Sequence, residues 1–187
     1  MHECFVESLT VIVGGFFIMR ITNKRMATLA MVAAVYAVLT VALLHPLSYG
    51  PFQFRIAEAL HLLAFFNPIF VPGLTLGVFI ANLFSPYGWV DWVFGTSASF
   101  IALVLIVLTK KYTGSLFLAS LWPTIINAIV IPLVFLIYAG DGVHMASFIP
   151  FAGSVGFGQF VVMTLGYIIF RVLIVKNKPF IDMIKKI

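Results

Sequence analysis

Three ionisable side chains recur at intervals of three residues, Arg55, Glu58 and His61, in a sequence whose other segments are mostly apolar. At this spacing they occupy about one-third of the circumference of a helix, so they can face one cavity together. Ionisable groups at membrane depth are costly and normally face a bundle interior or a cavity. Arg55 and Glu58 can also pair along their own helix, since buried charges are normally paired. The spacing therefore predicts either a polar binding site or an internal ion pair.

Further polar and aromatic side chains are predicted near the outer side or the middle of the same membrane. With Arg55 and Glu58 they form the predicted substrate-binding set, whose other members are Gln53, Asn82, Asp91, Trp92, Asn127 and Gln159. Carboxylates accept paired N–H donors, amides match edges that both donate and accept, and indole rings stack on flat groups. The set suits a flat, hydrogen-bonding solute, including one with a positive charge.

Most of these residues also have a purely structural explanation. Asn82, Asn127 and Gln159 can join neighbouring helices through interhelical hydrogen bonds. Asp91 can cap the N-terminus of a helix. Trp92 can belong to the aromatic belt at the membrane surface. Residue types alone therefore leave binding and packing as alternatives at each position.

Catalytic and metal-binding patterns are poorly represented. Glu58-x-x-His61 has the spacing of a di-iron ligand pair, but such a site needs more carboxylates on facing helices than this sequence provides. Cys4 is the only cysteine and is expected to be incidental. The motifs G-x-S-x-G, H-E-x-x-H and G-x-x-x-x-G-K-[ST] do not occur. We therefore predict no catalytic residue, no metal and no cofactor.

The composition indicates a polytopic helical membrane protein. Hydrophobic residues make up 63% of the chain and charged residues only 9%, with a mean hydropathy of +1.15. The apolar segments are far longer than the roughly ten-residue strands of a membrane barrel. The net charge of +5 comes from basic residues scattered between apolar runs. This distribution is typical of cytoplasmic loops and argues against a nucleic-acid partner.

The elements that position the polar set are six predicted transmembrane helices in one domain, residues 19–187, with an all-α fold. They cover about residues 27–44, 54–66, 69–84, 89–109, 115–138 and 148–175. Residues 1–18 are predicted to be an N-terminal extension, either a surface-lying helix or the product of a start codon placed too far upstream. Asn67-Pro68 is expected to form a turn, because the residue before proline disfavours the helical conformation.

The distribution of charged residues predicts how the six helices are oriented in the membrane. Arg20, Lys24 and Arg25 precede the first span, which places the N-terminus in the cytoplasm, and the C-terminus follows after six spans. Among the basic residues only Arg55 then falls on the outer side, whereas Glu58 and the other acids of the loops lie at or near the outer face. The polar set is therefore predicted to open outward.

The first helix carries small residues at intervals of four. Ala30-x-x-x-Ala34 and Ala33-x-x-x-Ala37 make a smooth face that another backbone can approach closely. This face is predicted to be a docking surface, either within the bundle or for a partner.

The chain contains a set of distinctive segments: the alanine-rich helix 28–37, Gly50-Pro-Phe-Gln-Phe-Arg-Ile-Ala-Glu-Ala59, Phe66-Asn-Pro68, Pro72-Gly73, Ala81-Asn-Leu-Phe-Ser-Pro86 and Asp91-x-x-Phe-Gly95. Together these segments resemble the QueT family of substrate-binding S components of energy-coupling factor (ECF) transporters. The resemblance covers about residues 20–175, and F-R-x-x-E-A and N-L-x-S-P are its most specific motifs.

The resemblance implies a six-helix S component in a bacterial cell membrane. It would capture a queuosine precursor, a 7-deazaguanine such as 7-aminomethyl-7-deazaguanine, from outside. The first outer loop, residues 45–51, would close over the solute, whose edge would meet Glu58 or Asp91 while its ring stacks on Trp92. Delivery would need a coupling membrane protein and two ABC-type ATPase subunits, with Ala30, Ala33, Ala34 and Ala37 as the docking surface.

Three alternatives remain at this point. An S component can serve another vitamin-like or purine-like solute, because a shared architecture does not fix its pocket. A stand-alone channel would conduct without ATPase partners. An intramembrane enzyme would need a nucleophile or a metal that the sequence does not supply.

Overall fold

The computed structural model describes residues 9–13, 17–43, 48–49, 53–139 and 148–187. Its regular elements, in chain order, are β1 (Leu9–Val13), β2 (Phe17–Ile21), α1 (Asn23–Ala37), a π-helical segment (Val38–Leu43), a 3₁₀ helix (Ile56–Leu62), α2 (Leu63–Phe66), α3 (Phe70–Asn82), a second π-helical segment (Asp91–Gly95), α4 (Thr96–Tyr112), α5 (Leu116–Ala139), α6 (Phe148–Lys176) and α7 (Lys178–Lys186). Most of the first outer loop and residues 140–147 lie outside the described residues.

The N-terminal region contains a β-hairpin, which corrects the expectation of a surface-lying helix. Strands β1 and β2 pair antiparallel, with Leu9 opposite Ile21 and Val13 opposite Phe17. Their sequences, LTVIV and FIMRI, are rich in β-branched and aromatic residues, which favour strands. The start-codon hypothesis stays a prediction.

Helix α1 packs closely against α3 because α3 presents glycines to it. A Cβ atom on Gly73 would lie 2.9 Å from the carbonyl oxygen of Leu29, and one on Gly77 would lie 2.9 Å from that of Ala33. Small residues that allow such backbone contact are typical of membrane helix pairs. Ala33 is only 2% exposed, so of the two predicted alternatives it contributes to docking within the bundle, against α3, and not to a surface open to a partner. Ala30 and Ala34 are exposed on α1.

The second predicted span begins as a 3₁₀ helix, Ile56–Leu62, and continues as the short helix α2. Runs of 3₁₀ helix longer than about four residues are uncommon and often mark functional segments. Asn67 ends α2 with an extended backbone, φ −148° and ψ 116°, as predicted for a residue before proline. Helix α6 packs on the 3₁₀ helix, where a Cβ on Gly166 would lie 2.9 Å from the Cβ of Ala59.

The remaining long helices pack in sequence order, α4 against α5 and α5 against α6. Helix α4 ends with Lys110 and Lys111 in its last turn. Helix α5 continues through both Pro123 and Pro132.

All six predicted spans correspond to helical segments. Four stretches are long and apolar enough to cross a membrane: Asn23–Ala42, Asp91–Tyr112, Leu116–Val134 and Phe148–Leu173. The apolar helices Ile56–Phe66 and Phe70–Asn82 are shorter. The protein is thus a helical, multi-pass membrane protein, and the count of six spans stays a prediction.

A final helix, α7, follows α6 after the single residue Asn177, whose side chain accepts a hydrogen bond from the Phe180 backbone N–H at 3.3 Å. Ile181 and Ile184 on α7 are buried against the bundle. The Asn67 amide donates to the Ile184 carbonyl at 3.1 Å, which ties α7 to the end of α2. Helix α7 lies beyond the six spans predicted from the sequence.

Candidate functional site

One half of the polar set is a buried ion pair between the 3₁₀ helix and the second π-helical segment. Arg55 Nη2 lies 3.1 Å from Asp91 Oδ2, and Arg55 Nη1 donates to Asn82 Oδ1 at 3.1 Å. Asn82 Nδ2 donates in turn to the Asp91 backbone carbonyl at 3.1 Å and to Thr96 Oγ1 at 3.2 Å. Arg55 forms its ion pair with Asp91 and not with Glu58, the alternative partner on its own helix. Hydrogen bonds among Arg55, Asn82 and Asp91 thus connect the start of the 3₁₀ helix, the end of α3 and the second π-helical segment.

Gly95 makes room for this ion pair. A Cβ atom at Gly95 would overlap Asp91 Oδ1 and would lie 3.0 Å from Asn82 Nδ2. The second π-helical segment begins at Asp91 and directs the Asp91 side chain inward. The preceding residue, Val90, forms no side-chain hydrogen bond that caps this segment. The local motif Asp91-x-x-Phe-Gly95 therefore has a steric reason, since the carboxylate occupies the space of the missing side chain.

The other half of the set surrounds Glu58, which is fully buried. Asn127 Nδ2 donates to both carboxylate oxygens of Glu58, at 3.1 and 2.9 Å. Gln159 Nε2 donates to Oε2 at 2.7 Å. Helices α5 and α6 thus hold the carboxylate through neutral amides, as carboxylates in low-dielectric surroundings require hydrogen-bond donors.

The 3₁₀ geometry places Glu58 and His61 along one edge, because three residues complete one turn, and Arg55 directly precedes this helix as its N-cap residue. His61 is fully buried and its ring stacks on that of Tyr36 from α1, with centroids 5.7 Å apart and an interplanar angle of 7°. Neither ring nitrogen of His61 has a hydrogen-bond partner within the described residues, and the same holds for the Tyr36 hydroxyl and for Arg55 Nε. His61 Nδ1 lies 3.8 Å from Glu58 Oε2. Buried polar atoms of this kind are rare and call for an explanation.

The outer rim of the site contains Gln53, Tyr49 and Tyr87. Gln53 is buried and has a φ of 44°, a left-handed conformation that non-glycine residues seldom adopt. Its side chain is hydrogen-bonded to that of Tyr87, whose pKa is raised by burial and by the nearby Asp91 carboxylate. The Tyr49 hydroxyl donates to the Ala81 carbonyl at 2.6 Å, and the Arg55 guanidinium lies 5.5 Å from the Tyr49 ring centroid.

A narrow cleft lies at this rim, and as the side chains stand it has no space for a water molecule. Its lining residues are Gln53, Tyr87, Asp91, Ile131, Val134 and Phe151. The cleft therefore reaches one carboxylate, that of Asp91, directly, whereas Glu58 lies deeper among its amide donors.

Seven of the eight predicted substrate-binding residues are buried: Gln53, Arg55, Glu58, Asn82, Asp91, Asn127 and Gln159. Trp92 is the exception, because its neighbour Asp91 points inward and Trp92 itself is 37% exposed. The predicted set missed Tyr36. Ala33, Tyr36 and Thr40 are spaced three and four residues apart, as on the buried face of a helix, and this spacing could have identified Tyr36.

The charges of the site do not balance. Arg55 is the only cationic side chain among the hydrogen-bonded groups, and its ion pair is with Asp91. Glu58 is held by Asn127 and Gln159, which are neutral. In the described part of the chain, no group of three or more His, Cys, Asp or Glu side chains could hold a metal ion. Glu58 is thus a buried carboxylate whose hydrogen-bond donors among the described residues are all neutral.

The fold and this cluster define a multi-pass helical membrane protein with a buried group of charged and amide side chains. The family model described as QueT transporter matches residues 26–174, so the chain belongs to the QueT transporter family. A relative from Lactococcus lactis subsp. cremoris (strain MG1363), named "Queuosine precursor transporter QueT", is 43% identical over 82 residues. That alignment covers 43% of this chain and 48% of the relative, or about half the length of each. No solved structure matches.

Proposed function

We propose that this protein is the S component of an ECF-type importer and binds a queuosine precursor, a 7-deazaguanine with a cationic side group such as 7-aminomethyl-7-deazaguanine. It takes the solute from outside the cell and delivers it inward with a coupling membrane protein and two ATPase subunits. ATP hydrolysis takes place in those partners. Family membership and the name of the Lactococcus relative support the class of solute.

The observation that carries the proposal is the uncompensated charge of Glu58. A carboxylate removed from water is destabilising unless it is hydrogen-bonded and paired with a positive charge. Glu58 has the hydrogen bonds, from Asn127 and Gln159, but both donors are neutral. An ammonium group on the solute supplies the missing charge.

The unpartnered polar atoms support a planar, polar solute. His61 offers one donor and one acceptor when neutral, the Tyr36 hydroxyl offers both, and Arg55 Nε is a donor. A guanine-like edge also alternates donors and acceptors, so it complements such a set. Entry of the solute from the rim requires the side chains around the cleft beside Asp91 to move apart.

The distribution of basic residues supports six spans with both termini in the cytoplasm. Lys24 and Arg25 begin α1, Lys110 and Lys111 end α4, and Lys176 ends α6, all at segment ends that this orientation places inside. The binding site then faces outward, as an importer requires.

The exposed alanines of α1 support docking of the coupling protein. Ala30 and Ala34 are exposed and Ala37 is half-buried on one side of α1, while Ala33 and Tyr36 face the bundle. Replacing Ala30 and Ala34 with phenylalanine is expected to preserve solute binding and to abolish uptake by the assembled transporter. Val35→Phe, on another exposed side of the same helix, is the matched control and should retain uptake. If the alanine variant still supports uptake, α1 does not dock the partner through this surface.

The solute proposal is tested by isothermal titration calorimetry of the purified protein. The ligands are 7-aminomethyl-7-deazaguanine and 7-cyano-7-deazaguanine, which share the ring but differ in charge. We expect the aminomethyl compound to bind at least about tenfold more tightly, a difference of roughly 1.4 kcal/mol. Equal affinity would contradict the role of Glu58, and binding of neither compound would favour another vitamin-like or purine-like solute.

A further inference from the structure

Helix α7 has a wider apolar face than the bundle covers. At about 100° per residue, Met183, Phe180, Ile184 and Ile181 follow one another around one side of the helix. Ile184 and Ile181 are buried against the bundle. Phe180 and Met183 lie on the same apolar face but beyond its contact with the bundle, and they are 36% and 54% exposed. Apolar surface therefore extends from the bundle along one side of α7.

The rest of α7 is cationic. Lys178, Lys185 and Lys186 are all exposed, and Asp182 is the one acid in the helix. Asp182 approaches Lys185 to 3.8 Å, but both side chains are more than half exposed, so this pair neutralises little. Lys186 lies beside Met183 on the helix circumference, so charge and exposed apolar surface are adjacent.

The position of α7 fixes what its exposed face can meet. The helix begins one residue after α6, a predicted membrane span, and therefore lies where that span leaves the membrane. Hydrogen bonds from Asn67 to the Ile184 carbonyl and from Arg25 to the Ile187 carbonyl hold it across the ends of α2 and α1. A helix in this place with apolar residues on one side and lysines next to them has the properties of an interfacial membrane helix.

We propose that α7 lies in the membrane surface and binds anionic phospholipid headgroups through Lys178, Lys185 and Lys186, while Phe180 and Met183 insert between the acyl chains. Clustered lysines next to a span attract anionic lipid, and inserted apolar side chains add to that binding. An acidic soluble partner would use the lysines but would leave Phe180 and Met183 without an apolar environment. Because α7 bridges α1 and α2, bound lipid also stabilises the bundle. This proposal does not depend on the identity of the solute.

The test uses the full-length protein in nanodiscs of phosphatidylcholine with and without phosphatidylglycerol. Native mass spectrometry counts retained phosphatidylglycerol, and thermal unfolding gives the apparent midpoint. We expect phosphatidylglycerol to raise the midpoint, and Lys178→Gln/Lys185→Gln/Lys186→Gln to weaken phosphatidylglycerol retention about tenfold or more. The matched control, Lys24→Gln/Lys111→Gln/Arg171→Gln, removes the same charge outside α7 and should retain most of the lipid.

A second variant separates lipid insertion from simple charge attraction. Phe180→Ser/Met183→Ser keeps every lysine and should also weaken retention of phosphatidylglycerol by severalfold. The proposal is overturned if phosphatidylglycerol has no effect on the midpoint, or if the control triple loses as much lipid as the α7 triple. It is also overturned if the α7 triple keeps its lipid and instead fails to co-purify with the partner subunits, which would identify α7 as a protein-docking surface.

Discussion

Two buried carboxylates lie in the same site and are stabilised in different ways. Asp91 forms an ion pair with Arg55, and Asn82 bridges them with further hydrogen bonds. Glu58 receives hydrogen bonds from the amides of Asn127 and Gln159. The first arrangement pairs opposite charges but leaves Arg55 Nε without a partner among the described residues, whereas the second provides hydrogen bonds from neutral donors alone.

This difference separates a structural role from a binding role. Breaking a buried ion pair leaves the remaining charge unpaired and is strongly destabilising. Converting a carboxylate that has only neutral partners into an amide changes its charge but preserves its shape. Substitutions at Asp91 should therefore act mainly on folding, and those at Glu58 mainly on solute affinity.

The largest effect is expected for Asp91→Ala. It leaves the Arg55 guanidinium buried without its counterion, so the free energy of unfolding should fall by about 3–5 kcal/mol. Equilibrium unfolding in mixed detergent micelles measures it. The double variant Arg55→Met/Asp91→Leu removes both charges and should regain a large part of the loss. If the double variant is no more stable than Asp91→Ala, the charges are not the cause.

A smaller loss is expected for Gly95→Ala. The added methyl group overlaps the Asp91 carboxylate and crowds Asn82, so the free energy of unfolding should fall by about 1–3 kcal/mol. Gly153→Ala is the matched control, because nothing lies within 4 Å of a Cβ at that helical position. The control should be neutral or stabilising by up to about 1 kcal/mol. Equal effects of the two substitutions would contradict the steric account.

The Glu58→Gln variant should change affinity more than stability. Asn127 and Gln159 can rotate their amides to bond the new side chain, so the free energy of unfolding should change by less than about 1 kcal/mol. Affinity for 7-aminomethyl-7-deazaguanine should fall at least about tenfold by calorimetry. Asp182→Asn makes the same chemical change on the exposed face of α7 and should leave affinity unaltered. Unchanged affinity in Glu58→Gln would exclude Glu58 from the site.

The smallest effect is expected for His61→Phe. The new ring can retain the stack on Tyr36, and no hydrogen bond of His61 within the described residues is lost. Stability should be maintained, while loss of one hydrogen bond to the solute should weaken binding about threefold to tenfold. A loss of stability above about 2 kcal/mol would instead show that the His61 nitrogens stabilise the fold itself.

The positions of the helices and most of the polar set could be predicted from the sequence. Long apolar runs identify membrane helices by length, and polar residues within them are costly enough to be informative. Arg55 and Glu58 were found in this way. The sequence does not identify Asp91 as the partner of Arg55, because Asp91 lies 36 residues away and only the packing of three segments brings it near.

The remaining differences have local physical causes. The direction of Trp92 depends on the π-helical turn at Asp91, which no periodic pattern predicts. Ala33 is buried because Gly77 of α3 lies against it. The small residues of α1 alone therefore do not predict which side of α1 packs against the bundle. Helix α7 was not predicted because it has only nine residues and a low mean hydropathy. Its amphipathic spacing is nevertheless a recognisable signal of a helix.

The glycine contacts of α3 bear on how the two ends of the protein communicate. At Gly73 and Gly77 the backbone of α3 lies directly against Leu29 and Ala33 of α1, with no α3 side chain between the two helices. A sideways shift of α1 would therefore displace α3 as well. Asn82, in the last turn of α3, bonds the Arg55 guanidinium through its side chain, so movement imposed on α1 by a neighbouring protein would reach the ion pair through α3.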